Sequence, residues 1–375
     1  MPSHTPPQAS RLTLGLIGGV AAALVLSACG AVSTSNNSQN SSGDDSAATV
    51  STGPTQYPLT VQNCGSEQQF DRAPSRVVIL NGASLAEVES IIALDLGDQV
   101  IANAQSYGVY DEPGMAERVD ALPTVGTLSA QRDIPAETLL SLEPDLVIGS
   151  SSAAFDAGMG MATRDQLAAI GAKTLVNPDQ CAIGKTQPTE EEKQDAAQVS
   201  WKSSKRLFTL LGEVFDVQAK AAELKDNIDS TVQQASSAVQ SSTQDGQIPN
   251  ALIAVPGMSM MNASGLPAVM TGNRYDTMLE AAGTRNAFTG GARDLTRSLS
   301  PEQLAAAEVD LLVLGRFMAS EDPAAEAEKI FAAYPQWKAS QNKNYVVLAD
   351  SIYLGPHNAQ AIQKIARAAH PDAFS

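Results

Sequence analysis

Histidine is nearly absent from this 375-residue chain: only His4, His357 and His370 occur. A zinc or manganese site built from several histidines is therefore not expected. G-x-S-x-G, a P-loop and H-E-x-x-H are also missing. That argues against an elbow-type hydrolase, a phosphate-cradling NTPase and a zinc peptidase. Basic residues are scarce, 24 against 41 acidic ones, giving a net charge of −17. Such acidity argues against nucleic-acid partners and against electrostatic docking on anionic lipid. Lysine is missing altogether between Asp226 and Glu328, whereas Arg274, Arg285, Arg293, Arg297 and Arg316 all fall there.

Cysteine is limited to Cys29, Cys64 and Cys181. The first follows a basic residue, Arg11, an apolar run from Leu12 to Leu26 and the small residues Ser27 and Ala28. The apolar run is a secretory signal pattern, too short for a comfortable membrane span. Its end, Leu26-Ser27-Ala28-Cys29, resembles the lipobox of bacterial lipoproteins, in which the cysteine becomes the acylated first residue. Residues 1–28 then read as signal peptide, and residues 29–56, rich in Ser, Thr and Asn, as a flexible tether. With Cys29 assigned to lipid, Cys64 and Cys181 are an even pair in an oxidising compartment and read as a disulfide.

The body alternates strands with helices. Strand-like runs fall at Arg76–Leu80, Val100–Ala102, Asp145–Ile148 and Lys173–Val176, then at Leu252–Val255, Asp310–Leu314 and Tyr345–Leu348. Ser84 is a candidate cap for a helix that Gly97 ends. This grammar predicts α/β structure with largely parallel sheets. It also repeats. Residues 132–149, RDIPAETLLSLEPDLVIG, align without a gap on residues 297–314, RSLSPEQLAAAEVDLLVL. Arg132 falls on Arg297, Glu137 on Glu302, Leu139 on Leu304 and Asp145 on Asp310. Two similar lobes are predicted, at residues 57–186 and 247–375. Between them, residues 187–246 carry an apolar seam at Leu224, Ile228, Val232 and Val239, with no Gly or Pro from Val214 to Gln244. One long stiff helix is expected there, with Trp201 as a packing residue.

With an acylated signal, the Val61-Gln62-Asn63-Cys64-Gly65 segment before RVVIL, the EPDLVIG strand and a helical link between duplicated lobes, the body resembles the substrate-binding proteins of ABC importers for iron–siderophores, cobalamin and haem. The resemblance implies two α/β lobes joined by a long rigid helix, a ligand cleft between lobes that move little, and no enzymatic activity or cofactor. It implies a monomeric, lipid-anchored protein on the extracytoplasmic face, handing an iron chelate to a membrane permease dimer. By motif it carries permease docking onto Glu137 and Glu302. The simpler reading is that these acids only favour their own helix starts, where Ser300 and Pro301 read as cap and first residue.

In such a fold the cleft is lined by loops after the strands' carboxyl ends. That places Asn81, Tyr107, Ser151 and, next to the first repeat, Arg132 at the mouth of one lobe. Met260, Arg274, Tyr275, Arg316 and Tyr353 fall at the other. Methionine, aromatic and arginine side chains suit a large, partly apolar ligand with anionic oxygens. Core filling explains the methionines equally well, and surface ion pairs any single arginine. Histidine ligation of haem has little support, leaving Tyr275 as the axial candidate. An exported esterase and a non-transport interaction module on the same fold are the competing classes.

Overall fold

The computed structural model describes residues 53–82, 84–105, 108–126, 133–242 and 247–374. Tyr107, Arg132 and Cys29, with the signal segment and most of the tether, lie outside the described residues.

The chain opens with a hairpin, β1 (Leu59–Asn63) and β2 (Ser66–Phe70), paired from Leu59–Phe70 to Asn63–Ser66. Its two-residue loop, Cys64-Gly65, has both φ angles positive (52° and 77°), as a type I′ turn requires. Cys64 is bonded to Cys181, with the two Cα atoms 4.9 Å apart and a sequence separation of 117. The hairpin was not foreseen, because its polar, alternating residues carry little apolar signal.

The first lobe is a four-stranded parallel sheet of β3 (Val77–Ile79), β4 (Val100–Asn103), β5 (Leu146–Gly149) and β6 (Lys173–Val176), in the order β4-β3-β5-β6. The second contains β7 (Asn250–Val255), β8 (Ala268–Val269), β9 (Arg285–Asn286), β10 (Leu311–Gly315) and β11 (Tyr345–Leu348). Its parallel strands run β9-β7-β10-β11, the same order as in the first lobe, and the short β8 is added antiparallel to β7. The sequence repeat therefore has a structural counterpart. Asp145 accepts from Arg76 N (2.8 Å) at the start of β3, and Asp310 accepts from Asn250 N (2.8 Å) at the start of β7. Each aspartate thus pins its strand to the central strand of its sheet.

Side-chain alternation divides the core. In the first sheet Val77, Ile79, Leu146 and Ile148 face one apolar cluster, while Val78, Leu80 and Val147 face another with Leu139. In the second sheet Ile253 and Val313 join the first cluster, and Leu252 and Leu312 pack with Leu304 on the far face. Strands buried on both faces read as continuous apolar runs, which made them visible in the sequence.

The bridge holds the expected long helix, preceded by two shorter ones. It contains helices Glu190–Gln198, Ser204–Val214 and Gln218–Ser242. The break falls at Asp216, whose φ of 58° is left-handed. Aspartate tolerates that conformation better than most residues, so a helix can end without Gly or Pro. The 25-residue helix spans about 37 Å at 1.5 Å per residue. Its seam residues Ile228, Val232, Ala235 and Val239 are buried. Ser84 does not cap its helix: the helix begins at Ala86, with Leu85 before it and no side-chain cap. Thr55 is already part of the fold, since its hydroxyl donates to Glu213 O (2.7 Å) and its N–H to Asp216 Oδ1 (2.6 Å). No helix among the described residues is long and apolar enough to cross a membrane.

The disulfide closes a long loop and so restricts the unfolded chain. Replacing both Cys64 and Cys181 by Ser should lower unfolding stability by about 2–5 kcal/mol. Denaturant titration under non-reducing conditions measures this, and an unchanged midpoint would exclude a stabilising role.

Candidate functional site

The loops leaving the strands' carboxyl ends meet between the lobes. Asn81 follows β3, and its side chain accepts from Gly82 N at 2.7 Å. A β-carbon on Gly82 would collide with the Ser150 side chain, so glycine lets the loops after β3 and β5 approach. Gly108 fits against Leu85 for the same reason. Ser151 is partly buried beside this junction.

In the second lobe, Arg274 and Tyr275 stand in the first turn of helix Asn273–Ala281, and the guanidinium lies 5.8 Å from the Tyr275 ring centre. Arg316 follows β10, and its Nη2 donates to Ala319 O at 2.6 Å. Phe317 meets Tyr353 edge to face, with ring centres 6.5 Å apart. Among the described residues, Arg274 Nε, Arg316 Nε and the Tyr353 hydroxyl are buried without a hydrogen-bond partner. Burial, then the nearby Tyr275 and Glu321, drive the Tyr353 phenol well above its ordinary range. Above this group the chain exposes Met260 (87%), Met318 (53%) and Phe317 (37%).

A small cavity of about 40 Å³ connects the lobes, lined by Ser84, Leu85, Gly108 and Val109 on one side and Arg316, Phe317, Asp350 and Tyr353 on the other. It holds little more than a water, whereas solute pockets span about 300–1,000 Å³. A cavity of about 640 Å³ lies elsewhere, beside the starts of β7 and β10, with Asn250, Asp310 and Trp337 in its wall. It is remote from the strand-end loops, and larger volume alone does not make it the site.

Beneath the mouth lies a polar seam that the sequence reading missed. Asp111, in the first lobe, accepts from Ala349 N (2.6 Å), Lys364 Nζ (2.6 Å) and the Ser351 hydroxyl, all in the second. Its own N–H donates to the Asp350 carboxylate. His357 Nδ1 lies 2.7 Å from Asp350 Oδ2, and Nε2 lies 3.3 Å from Glu112 Oε2. Burial alone would lower the His357 pKa, but hydrogen bonds to Asp350 and Glu112 outweigh it and push it up to about 10. The His357 bond in turn holds the Glu112 carboxyl at about 2, against burial. For Asp111 burial also works upward, and the Lys364 and Ser351 bonds keep it below its ordinary value. Asp179, near Arg274, is pushed up to about 6 by burial despite the attraction of Arg206. Isolated acids in loops give no periodic signal. Only the Asp111-Glu112 doublet after a strand hinted at this seam.

Tyr353, Tyr275, Arg274 and Arg316 are thus gathered on the second lobe, with Phe317 as an aromatic neighbour. Asn81 and Ser151 sit on the loops of the other lobe, and Met260 stands at the rim. Glu137 and Glu302 are both exposed, each in the first turn of the corresponding short helix, Ala136–Ser141 and Pro301–Ala306.

Two α/β lobes are bridged by helices and meet where their strand-end loops converge. The periplasmic binding protein family model matches residues 77–353, and the chain belongs to that family. No curated protein matches it. Its fold is shared with an ABC-type Fe3+-hydroxamate transport system from Saccharomonospora viridis, at 21% identity over 85% of this chain and 100% of that one, with a TM-score of 0.56. It is shared with the periplasmic haem-binding protein RhuT from Roseiflexus sp. RS-1, at 23% identity over 80% and 99% of the two chains, TM-score 0.53. The petrobactin-binding protein YclQ from Bacillus subtilis is similar at 15% identity over 83% and 98%, TM-score 0.53. At these identities the likeness concerns the fold. Family membership makes this chain an extracytoplasmic solute-binding protein and not an enzyme; such proteins bind ligands and need no cofactor.

Asp111→Ala should strand Lys364 and two further donors at the lobe junction, costing about 3 kcal/mol. Thermal or denaturant unfolding measures the loss. A cost below about 0.5 kcal/mol would show that the seam contributes little.

Proposed function

We propose that this protein captures a ferric siderophore between its lobes and delivers it to a two-subunit ABC permease while anchored to the membrane through acylated Cys29. The observation carrying the ligand assignment is the set of buried, unpartnered donors: Arg274 Nε, Arg316 Nε and the Tyr353 hydroxyl. Each costs about 1–3 kcal/mol if left unpaired. Hydroxamate, catecholate or carboxylate oxygens would satisfy them, the guanidinium groups being suited to two-oxygen contacts. The exposed Met260, Phe317 and Met318 supply apolar contact for the organic shell. An Fe3+-hydroxamate transport protein and a petrobactin-binding protein share the fold, which supports the same ligand class. Asn81 and Ser151 would contribute from the opposite lobe, with Tyr107 and Arg132 in the adjoining loops, and Tyr275 beside Arg274.

Tryptophan and tyrosine fluorescence of the full chain in mild detergent, titrated with ferric hydroxamate and catecholate siderophores, cobalamin and haem, tests the assignment. A ferric siderophore should quench saturably. Arg274→Ala and Arg316→Ala should each weaken binding roughly 10- to 100-fold, from the ~1.5–3 kcal/mol of a charge-assisted bond. Response to haem or cobalamin alone would reassign the ligand, and silence toward all would refute capture of this class.

The duplicated lobes, each with an exposed glutamate at one helix start, support one docking contact per permease subunit. Combined Glu137→Lys and Glu302→Lys should abolish uptake in cells while leaving solute affinity within about twofold. A parallel fall in affinity would return both residues to the fold or the cleft. The exposed Glu302 carboxyl is already held below its ordinary value by Ser300, so its helix role must be controlled by a melting curve.

A further inference from the structure

Where the lobes meet under the cleft, Glu89 of helix Ala86–Ala93 approaches Asp350 and His357 of the second lobe. One donor atom from each of these three side chains falls within 4.8 Å of the others. His357 Nδ1 is 2.7 Å from Asp350 Oδ2 and 3.8 Å from Glu89 Oε2. The side chains are deeply buried, with exposures of 2%, 2% and 8% for Glu89, Asp350 and His357. Glu89 Oε1 is buried, and no donor among the described residues reaches it. Gly355 closes the loop over this carboxylate, where a β-carbon would come within 2.9 Å of Oε2.

Asp350 is served by the Asp111 N–H and the His357 ring. The imidazolium is the positive centre the two carboxylates share, in the place a divalent cation would take. Of their oxygens, Glu89 Oε1 alone is left without a donor among the described residues. The nearby cations are engaged elsewhere: Lys364 binds Asp111 at 2.6 Å and Arg118 binds Glu112 at 3.1 Å. Glu87, also buried nearby, takes its bonds from Asn177 and Gln105 and offers no cation. The imidazole is oriented from its far side. Glu112 faces Nε2 at 3.3 Å and holds a proton there, so a metal that displaced the Nδ1 proton would meet a lone pair directed at Asp350 and Glu89. A carboxylate behind a histidine is the usual means of aligning a metal-bound imidazole and fixing its tautomer.

We propose that Glu89, Asp350 and His357 form a divalent transition-metal site bridging the lobes, with Glu112 as the positioning residue behind the imidazole. One nitrogen and two carboxylate oxygens suit Zn2+, with a fourth position for water. The site lies directly beneath the cleft, since Asp350 also lines the small cavity that Arg316 and Tyr353 line. Its metal would tie helix Ala86–Ala93 of one lobe to the turn Asp350–Ile352 and helix Asn358–Ala369 of the other.

The test uses the full chain in mild detergent, stripped with EDTA and titrated with Zn2+ by calorimetry, with Mg2+ as comparison and Co2+ absorption as a readout of coordination. One equivalent of Zn2+ should bind and raise the melting temperature, and Co2+ should give visible bands. Glu89→Gln, whose amide can donate to Asp350, should keep the metal-free melting temperature yet weaken Zn2+ binding more than 100-fold and remove the Co2+ bands. Glu112→Gln should weaken binding roughly 10- to 100-fold. Absence of saturable Zn2+ binding, equal binding of Mg2+, or unchanged affinity in Glu89→Gln would each overturn the assignment.

Discussion

The architecture depends on one continuous apolar core that belongs to neither lobe alone. Val77, Ile79 and Leu146 of the first sheet share a cluster with Phe208, Leu211, Ile228 and Val232 of the bridge and with Ile253, Val313 and Ile362 of the second lobe. Separating the lobes by a large hinge would expose part of that cluster to water, at ~25 cal/mol for each Å² uncovered. The spacing of the lobes is therefore set by close-packed helices, and on the proposed reading the donors are held in place before a solute arrives. Pre-organisation of this kind lowers the ordering cost of binding.

Upon this core the duplication arranges function by position. The same strand order recurs in both lobes, and Asp145 and Asp310 fasten equivalent strands through equivalent bonds. The two halves nevertheless diverge at the mouth. The second lobe gathers arginines, tyrosines and exposed methionine, while the first presents close-packed glycine loops and acids that reach across the junction. Symmetry is retained where strands must be pinned, and relaxed where a solute or the other lobe is met.

Much of the fold was legible because buried parallel strands are uninterrupted apolar runs, and the chain repeats them. Even the aspartates that fasten the strands appeared as a repeated pair. Three features escaped for physical reasons. The hairpin before β3 is polar and takes its register from a left-handed Cys64-Gly65 turn. The bridge breaks at Asp216, whose side chain permits a conformation usually read from glycine. The seam of Asp111, Glu112, Asp350, His357 and Lys364 joins residues up to 253 positions apart, so no local window contains it. Arg274, Tyr275, Arg316 and Tyr353 are candidates because strand ends locate a mouth; which donors remain unpaired depends on three-dimensional packing.

Thr55 clips the start of the body to Glu213 and Asp216, at the turn between two bridge helices. Any pull transmitted along the chain from its amino-terminal side therefore enters at that turn. From there it passes into the long helix Gln218–Ser242 and the core packed on it. The strand-end residues Tyr275 and Tyr353 meet this path through the core they pack against. A pull on the amino-terminal side is thus spread over the shared core before it reaches either tyrosine.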